Sequence, residues 1–597
     1  DLLESEQKAL LQDAAIIGSR FWAGALASLD GGRPLEHGMH ALERREFIRR
    51  ERDSTVEGDQ QYAFRHLLVR DVAYSQIPRA ERAEKHLLAA AWIEQLGRRE
   101  DHAEMLAHHY LQALELTAAA GGSSDVFAAA ARAALSDAGD RAFALNAYGA
   151  ASRFFRAALD LLADDDTGRG RLLYALGRSL YQLGTPDPAM LEQAVDELLA
   201  VGDVEGAAEA ETTLCEQTWL AGETEVAMEH LDRARRLLAD REPSPAKARM
   251  TATASRLMML SSRDEEAIRL GKEALALAEQ VGRDEIKASA LVDIGSAQSS
   301  LDTDEGLRTL TRAIDVAREA NAAFDLARAM GNLGAFRWQA GRLEGVGRLR
   351  REALQAANDY GQAGFARWFR GVLIVDDYEH GDWDGGLARA DAFLAEVEAG
   401  APHYLAAQCY IHRALIRLGR DAQTGLESDV ERGLALAERA RDPQTLYMAL
   451  ALAAHIHAEE GDLPGAAPLA EQFLSALVAR EGLGFGVAYV HVLVWTLTAC
   501  GRGEEAAAAL EPYAPNAWAR AGIAFGRGEP EVAADLFAEM GARASEAFCR
   551  LCAARQLVDQ GRRAEADGQL RSALDFYREV RATRYAREAE SLLAAGA

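Results

Sequence analysis

Cys549 and Cys552 form a lone CxxC, the tightest grouping of thiol side chains in the chain. Thiol chemistry needs a thiolate, and a thiolate needs a nearby positive charge or an exposed helix start. The surrounding EAFCRLCAARQL reads instead as one amphipathic helix, which makes both cysteines small core residues. With Cys215, Cys409 and Cys500 they form an odd, sparse set, which argues for a reducing compartment. His108 and His109 in LAHHY, with His86 and His102 nearby, invite a metal reading. Adjacent helical residues point about 100° apart and cannot share one ion, and no cysteine is near. His455 and His457 fail in the same way. A packing or surface role suits all of these histidines better. Phosphate binding by a GxxxxGK[ST] loop is excluded, because Gly271-Lys272 lies in an Ala/Leu-rich stretch without the earlier glycine or the following Ser/Thr. No paired-aspartate metal site and no Ser/His/Asp or Cys/His arrangement can be assembled from local spacing. The chain is therefore expected to carry no catalytic residue, no metal and no cofactor of its own.

The elements around these residues are helical. Ala, Leu, Arg and Glu dominate, only 13 of 597 residues are proline, and strand-type alternation is scarce. A net charge of −27 repels phosphate backbones and anionic lipid, so neither nucleic acid nor a membrane is an expected partner. No apolar run approaches the length of a membrane span and no signal peptide is evident, so the expected location is cytoplasmic. Sixty-one arginines against five lysines is a bias associated with high-GC bacterial genomes.

From about residue 170 the sequence repeats, with turn markers Gly184, Gly222, Gly341, Gly381, Gly419, Gly461 and Gly501, and Ser262 and Leu301 between them, at steps of 38–42 residues. Glycine ends a first helix in the left-handed conformation, and small residues in the second let the pair approach closely. One such hairpin cannot bury its apolar face alone, so neighbours must stack. After Gly501 the spacing shortens, with Gly528 and Gly561 as markers. The pattern resembles tetratricopeptide repeats, most clearly at ARAMGNLGAFRWQAGRLEGVGRLRREAL. Positions equivalent to Asn332 hold Ala175, Thr213, Val372, Tyr410, Leu452 and Val492, which is no asparagine clamp for a peptide carboxylate. Trp338, Trp368, Tyr378 and Trp383, with Phe336, Phe365 and Phe369, make one dense aromatic region. It reads either as core wedges or, with Asn332, as a partner or ligand surface.

Residues 1–75 differ. Three helices (Glu6 to Gly18, FWAGALASL, LEHGMHALERREFI), a polar loop and the strand YAFRH suggest a winged helix with a small β-hairpin. Arg44, Arg45, Arg49, Arg50 and Arg52 form a basic cluster, but residues 1–115 hold 15 basic and 20 acidic side chains, which is not a DNA reader's footprint. The expected fold is thus all-α: a right-handed tetratricopeptide-like superhelix (α-solenoid) behind a small winged-helix module. Its expected divisions are a winged helix at 1–75, a helical linker at 76–165, repeats at 166–513, and shorter repeats with capping helices at 514–597. The chain opens at Asp1 on an amphipathic helix, as a piece of a longer protein would.

The string YAFRHLLVRDVAYSQIPRAERAEKHLLAAAWIEQL, followed by HAEMLAHHYLQALEL, resembles the region after the nucleotide-binding domain of STAND-class signalling ATPases. It is most similar to bacterial members in which a class III adenylate or guanylate cyclase domain precedes the ATPase. The resemblance implies an upstream domain that holds ATP or ADP, and a repeat array that senses a protein or small-molecule effector. It also implies a role for His66, with Arg65 beside it, in contacting the phosphates of bound ADP. A histidine beside a strand also serves as an ordinary structural hydrogen-bonding residue. A stand-alone scaffold and the arm of a maltose-regulator-like transcription activator remain alternatives, and self-association is left open.

Overall fold

A computed structural model describes residues 3–31, 35–97, 99–163, 166–221, 223–480 and 482–594. The marker Gly222 lies outside them. The described residues form 31 α-helices and three short strands, so the all-α repeat architecture expected from the sequence is what is found. The chain divides into two compact units, residues 1–250 and 251–597.

The first unit opens with α1 (Ser5–Ile17), β1 (Arg20–Trp22), α2 (Ala23–Leu29), α3 (Glu36–Arg44), β2 (Ile48–Arg50) and β3 (Gln61–Phe64). The strands form one antiparallel sheet in the order β1-β3-β2, with Phe21 opposite Tyr62 and Ile48 opposite Phe64. The expected two-stranded hairpin thus gains a third strand. The cause is Phe21 and Trp22, whose large side chains are buried in the module, Trp22 lying 5.8 Å from Trp92 in a stacked pair. The third helix is also shorter than expected. Glu46 takes φ 62°, and the Phe47 amide donates back to the Leu42 carbonyl at 3.1 Å, which turns Ile48 into the sheet. Beyond it come α4 (Leu67–Ser75), α5 (Arg79–Gln95) and α6 (Arg99–Ala119), then helical hairpins. Ala131, Ala134, Ala138 and Ala142 along the helix Ala128–Ala144 are completely buried, and side chains this small let the axes come close.

The second unit is a stack of hairpins whose long helices run mostly 14–18 residues, such as Ala363–His380 with Trp383–Glu398 and Pro443–Glu459 with Leu463–Val478. Most markers turn the chain as expected. Gly461 has φ 86°, and Ser262 takes the same left-handed conformation at φ 56°. Two do not. Gly419 is still helical, and Asp421 (φ 58°) makes the turn. Gly419 lacks a side chain for another reason: a Cβ there would come within 2.6 Å of the Trp383 ring. At Leu301 the chain leaves the helix through extended Asp302, whose carboxylate accepts from the Glu305 amide at 3.1 Å and caps the next helix.

After residue 500 the helices shorten, to Gly503–Leu510, Ala517–Gly526 and Pro530–Met540. Within this unit the later hairpins run alongside the turns of the earlier ones. The Leu343 amide donates to the Met540 carbonyl at 3.1 Å, Arg543 donates to the His380 carbonyl at 2.9 Å, and Thr583 donates to the Arg420 carbonyl at 2.9 Å. Gly341 marks how closely they approach: its φ is 71°, and a Cβ would meet the Ala517 methyl at 2.7 Å and the Met540 sulfur at 2.6 Å. Nothing lies within 4 Å of the same position at Gly461. Gly461→Ala should therefore carry only the left-handed backbone penalty, about 1 kcal/mol, whereas Gly341→Ala should lose at least about 2 kcal/mol, because strain and a fixed-neighbour clash add. Urea unfolding of the two variants checks the ordering.

Candidate functional site

The inner face of the second unit is filled with aromatic side chains drawn from hairpins far apart in sequence. The Trp518 indole donates to the Trp338 carbonyl at 2.8 Å across 180 residues, and the two rings lie 5.8 Å apart. His491 stacks on Trp518 at 4.9 Å, and Trp495 meets Phe548 at 4.4 Å. Tyr378 and Trp383 stack at 5.4 Å and 8°, with the Trp383 indole donating to the Tyr378 carbonyl at 2.9 Å. Tyr577 stacks on Tyr585 at 5.0 Å. These rings enclose a cavity of about 30 Å³, room for roughly one water. A larger cleft of about 250 Å³ shares His455, Trp495 and Phe548 with it.

The polar groups in this interior are few and strongly perturbed. Glu379 is 7% exposed, accepting from the Ser545 hydroxyl at 3.0 Å and the Ser545 amide at 3.3 Å, and burial raises its carboxyl above the usual range. Burial lowers His412 to about 4 and His491 to about 3, so both are neutral. The Tyr577 hydroxyl is buried without a hydrogen-bond partner. Burial also pushes the Cys552 thiol up to about 12 and Cys549 well above the usual thiol range, so neither is a thiolate at neutral pH.

Three residues of the expected aromatic surface come together here. Trp338 (7% exposed), Tyr378 and Trp383 (2%) line the cavity, facing inward. Asn332 and Trp368 do not join them. Asn332 donates to the Ser296 hydroxyl at 2.8 Å, and the Trp368 indole is bonded to the Tyr404 hydroxyl, its ring edge-on to Phe369 at 5.0 Å. His491, Trp495, Trp518, Glu379 and Tyr577 were not singled out from sequence, because no local spacing connects them. In the first unit His66 stands at the start of α4, exposed, with its own side chain not capping the helix. Arg65 beside it is exposed and 3.4 Å from Glu46. His86 and His109 pair through their Nδ1 atoms at 2.9 Å in the core, and the Tyr74 hydroxyl meets His86 Nε2 at 3.0 Å. Among the described residues no group of three His, Cys, Asp or Glu side chains is arranged to hold a metal, and no helix is long and apolar enough to cross a membrane.

No protein-family model matches the chain, and no curated protein matches it. Solved structures of similar fold include a Signal Transduction ATPase with Numerous Domains (STAND) protein with a tetratricopeptide repeat sensor from Pyrococcus horikoshii, at 14% identity over 72% of this chain and 63% of that one, TM-score 0.42. Aspartyl phosphate phosphatase F from Bacillus subtilis aligns at 11% identity over 56% of this chain and 91% of that one, TM-score 0.39. Yeast Tom70 aligns at 13% over 79% and 96%, TM-score 0.31. The chain spans less than two thirds of the length of the STAND structure. At these identities the likeness is one of fold.

The neutral histidines give the unit an acid sensitivity of known sign. His412 is held down to about 4, while an unfolded histidine titrates near 6.5, so its contribution is complete above pH 6.5 and is lost as the pH falls toward 4. Its Nδ1 lies 2.9 Å from the Gln408 carbonyl, a partner an asparagine amide can keep. Between pH 7 and pH 5 the wild type should lose about 2 kcal/mol relative to His412→Asn, read from urea midpoints at the two pH values. An unchanged gap would show that the ring titrates normally.

Proposed function

We propose that this chain is the regulatory sensing and protein-interaction arm of a bacterial STAND-type ATP-binding signalling protein, controlling a fused adenylate or guanylate cyclase. The observation that carries this reading is the exposed start of α4. His66 and Arg65 open to solvent there, followed by Leu67 at 61% exposure, Leu68 at 74% and then Val72. An apolar strip next to two side chains suited to phosphate is what a neighbouring nucleotide domain would cover. Three helices and an antiparallel β1-β3-β2 sheet support reading the module before it as a winged helix.

The chain has no phosphate loop, so ATP or ADP would be held by the upstream domain, with His66 and Arg65 offered toward its phosphates. A protein or small-molecule effector would bind the repeat array better in one state than in the other, and that difference in affinity is the most it can contribute to switching. The test uses the intact protein. His66→Ala should release ADP about tenfold faster, the effect of losing one hydrogen bond to a charged group. Release at the wild-type rate would overturn the role of His66.

A further inference from the structure

We infer that the turn edge of the second unit's first two hairpins, at Leu260 and Leu301, is a docking surface for an arginine-bearing amphipathic helix of a partner protein. The pattern for such an occupant is in the molecule itself. At the next three turns, Gly341, Gly381 and Asp421, the later hairpins of this unit form a covering layer of constant chemistry. Its side-chain donors reach carbonyls at the ends of the first helices, Asn516 to Gln339, Arg543 to His380 and Thr583 to Arg420, each at 2.9 Å. Such carbonyls have no partner within their own helix. Its arginines pair with carboxylates of the turns, Arg587 with Asp421 at 2.6 Å and Arg581 with Asp384. Its apolar side chains lie against the turn glycines, Met540 and Ala517 at Gly341, and Phe576 and Val580 at Gly381.

The layer stops at Met540. Beyond it a cleft of about 510 Å³ opens between Glu539 and Met540 on one side and Leu307 and Thr311 on the other. The two preceding turns carry the features that the layer meets elsewhere. Leu260 is 50% exposed and Leu301 60%. Each is the last residue of its helix, and neither carbonyl accepts a hydrogen bond from a described residue. Glu265 follows Ser262 by three residues, as Asp384 follows Gly381, and it is exposed and without an ion-pair partner among the described residues. The two turns set Asp264, Glu265, Glu266, Asp302, Asp304 and Glu305 against Arg263, Arg308 and Arg342, so the edge is acidic. Large apolar side chains on an acidic edge fit a helix with one apolar face flanked by arginines. A second copy is a poor occupant, because two chains of charge −27 repel each other. The surface deepens the proposed interaction role and rests on it, but not on nucleotide binding, so ADP release and the titration below can fail independently.

The experiment titrates the full chain into a fluorescein-labelled peptide of about 18 residues, with leucines on one helical face and arginines flanking them, followed by anisotropy at physiological salt. A counterpart with glutamate in place of arginine is the comparison. The arginine peptide should bind at least about tenfold more tightly than the glutamate peptide. Leu301→Arg should weaken it at least about tenfold, by removing apolar contact and adding like charge. Val478→Arg, at an exposed residue on the opposite edge of the stack, should leave binding unchanged. Both substituted side chains are exposed, so neither variant should shift the urea midpoint. Equal affinity of the two peptides, binding that survives Leu301→Arg, or no binding up to about 1 mM would overturn the assignment. So would a dimer in light scattering that Leu301→Arg dissolves, which would give the edge to a second copy.

Discussion

A helical hairpin with apolar residues on both faces cannot be stable by itself, and everything in this chain follows from where its second face goes. In the early part of the second unit the answer is the next hairpin. After residue 500 three helices fall to 8–11 residues before the length returns to 17 at Arg543–Asp559, and the later hairpins lie against the turns of hairpins more than 160 residues earlier. The Trp518–Trp338 bond is the centre of that closure. It satisfies a buried indole N–H with a carbonyl that also accepts from the Gly341 amide at 2.9 Å. The inner face of the stack therefore becomes a core in its own right.

Such a core has to accommodate the charges that the hairpins bring with them. Asp376 and Asp293 are buried at helix–helix contacts, and each faces an arginine of a neighbouring helix, Arg350 at 2.8 Å and Arg328 respectively. Burial raises both carboxyl groups even so. These pairs fix which helices meet and in what register; removing one partner would leave a charge stranded, which is far more destabilising than the pair is stabilising. Glu379 is the exception. It has hydroxyl and amide donors but no cation in hydrogen-bond contact. Among the described residues of the second unit, buried Asp293, Asp376, Asp377 and Asp429 each meet an arginine, whereas Glu379, in the lining of the aromatic chamber, does not.

How far the sequence revealed this depends on the range of each interaction. Turn positions such as Gly461 and the substitute Ser262 were legible because left-handed backbone is a local demand. Gly419 misled because a small residue serves close packing as well as turning, and only the Trp383 ring distinguishes the two. The strand Arg20–Trp22 was hidden in an apolar stretch that also suits a helix, and the sheet partner that decides it lies 40 residues on. Trp338, Tyr378 and Trp383 stood out as an aromatic region, but which of them face one cavity depends on Trp518 and Tyr577, to which no repeat period points. In the run DDYEH, Asp376, Asp377 and Glu379 are all buried. Charge in a sequence signals exposure only when its partner is not supplied from elsewhere in the fold.

The closure is uneven. Its centre rests on buried rings, each aromatic pair adding about 0.5–1.5 kcal/mol beyond the area it removes from water. Its outer edge, the helix Thr583–Ala594, is held by Arg587 to Asp421 at 2.6 Å, by Arg555 to Glu588 at 2.8 Å and by Arg584 to the Glu459 carbonyl. The first of these pairs is solvent-exposed, and exposed ion pairs contribute about 0–1 kcal/mol each. The cleft residues Glu459 and Arg555 are the ones this helix grips. The same helix also places Tyr585 and Ala589 in the buried interior, so its hold combines surface ion pairs with a buried ring stacked on Tyr577.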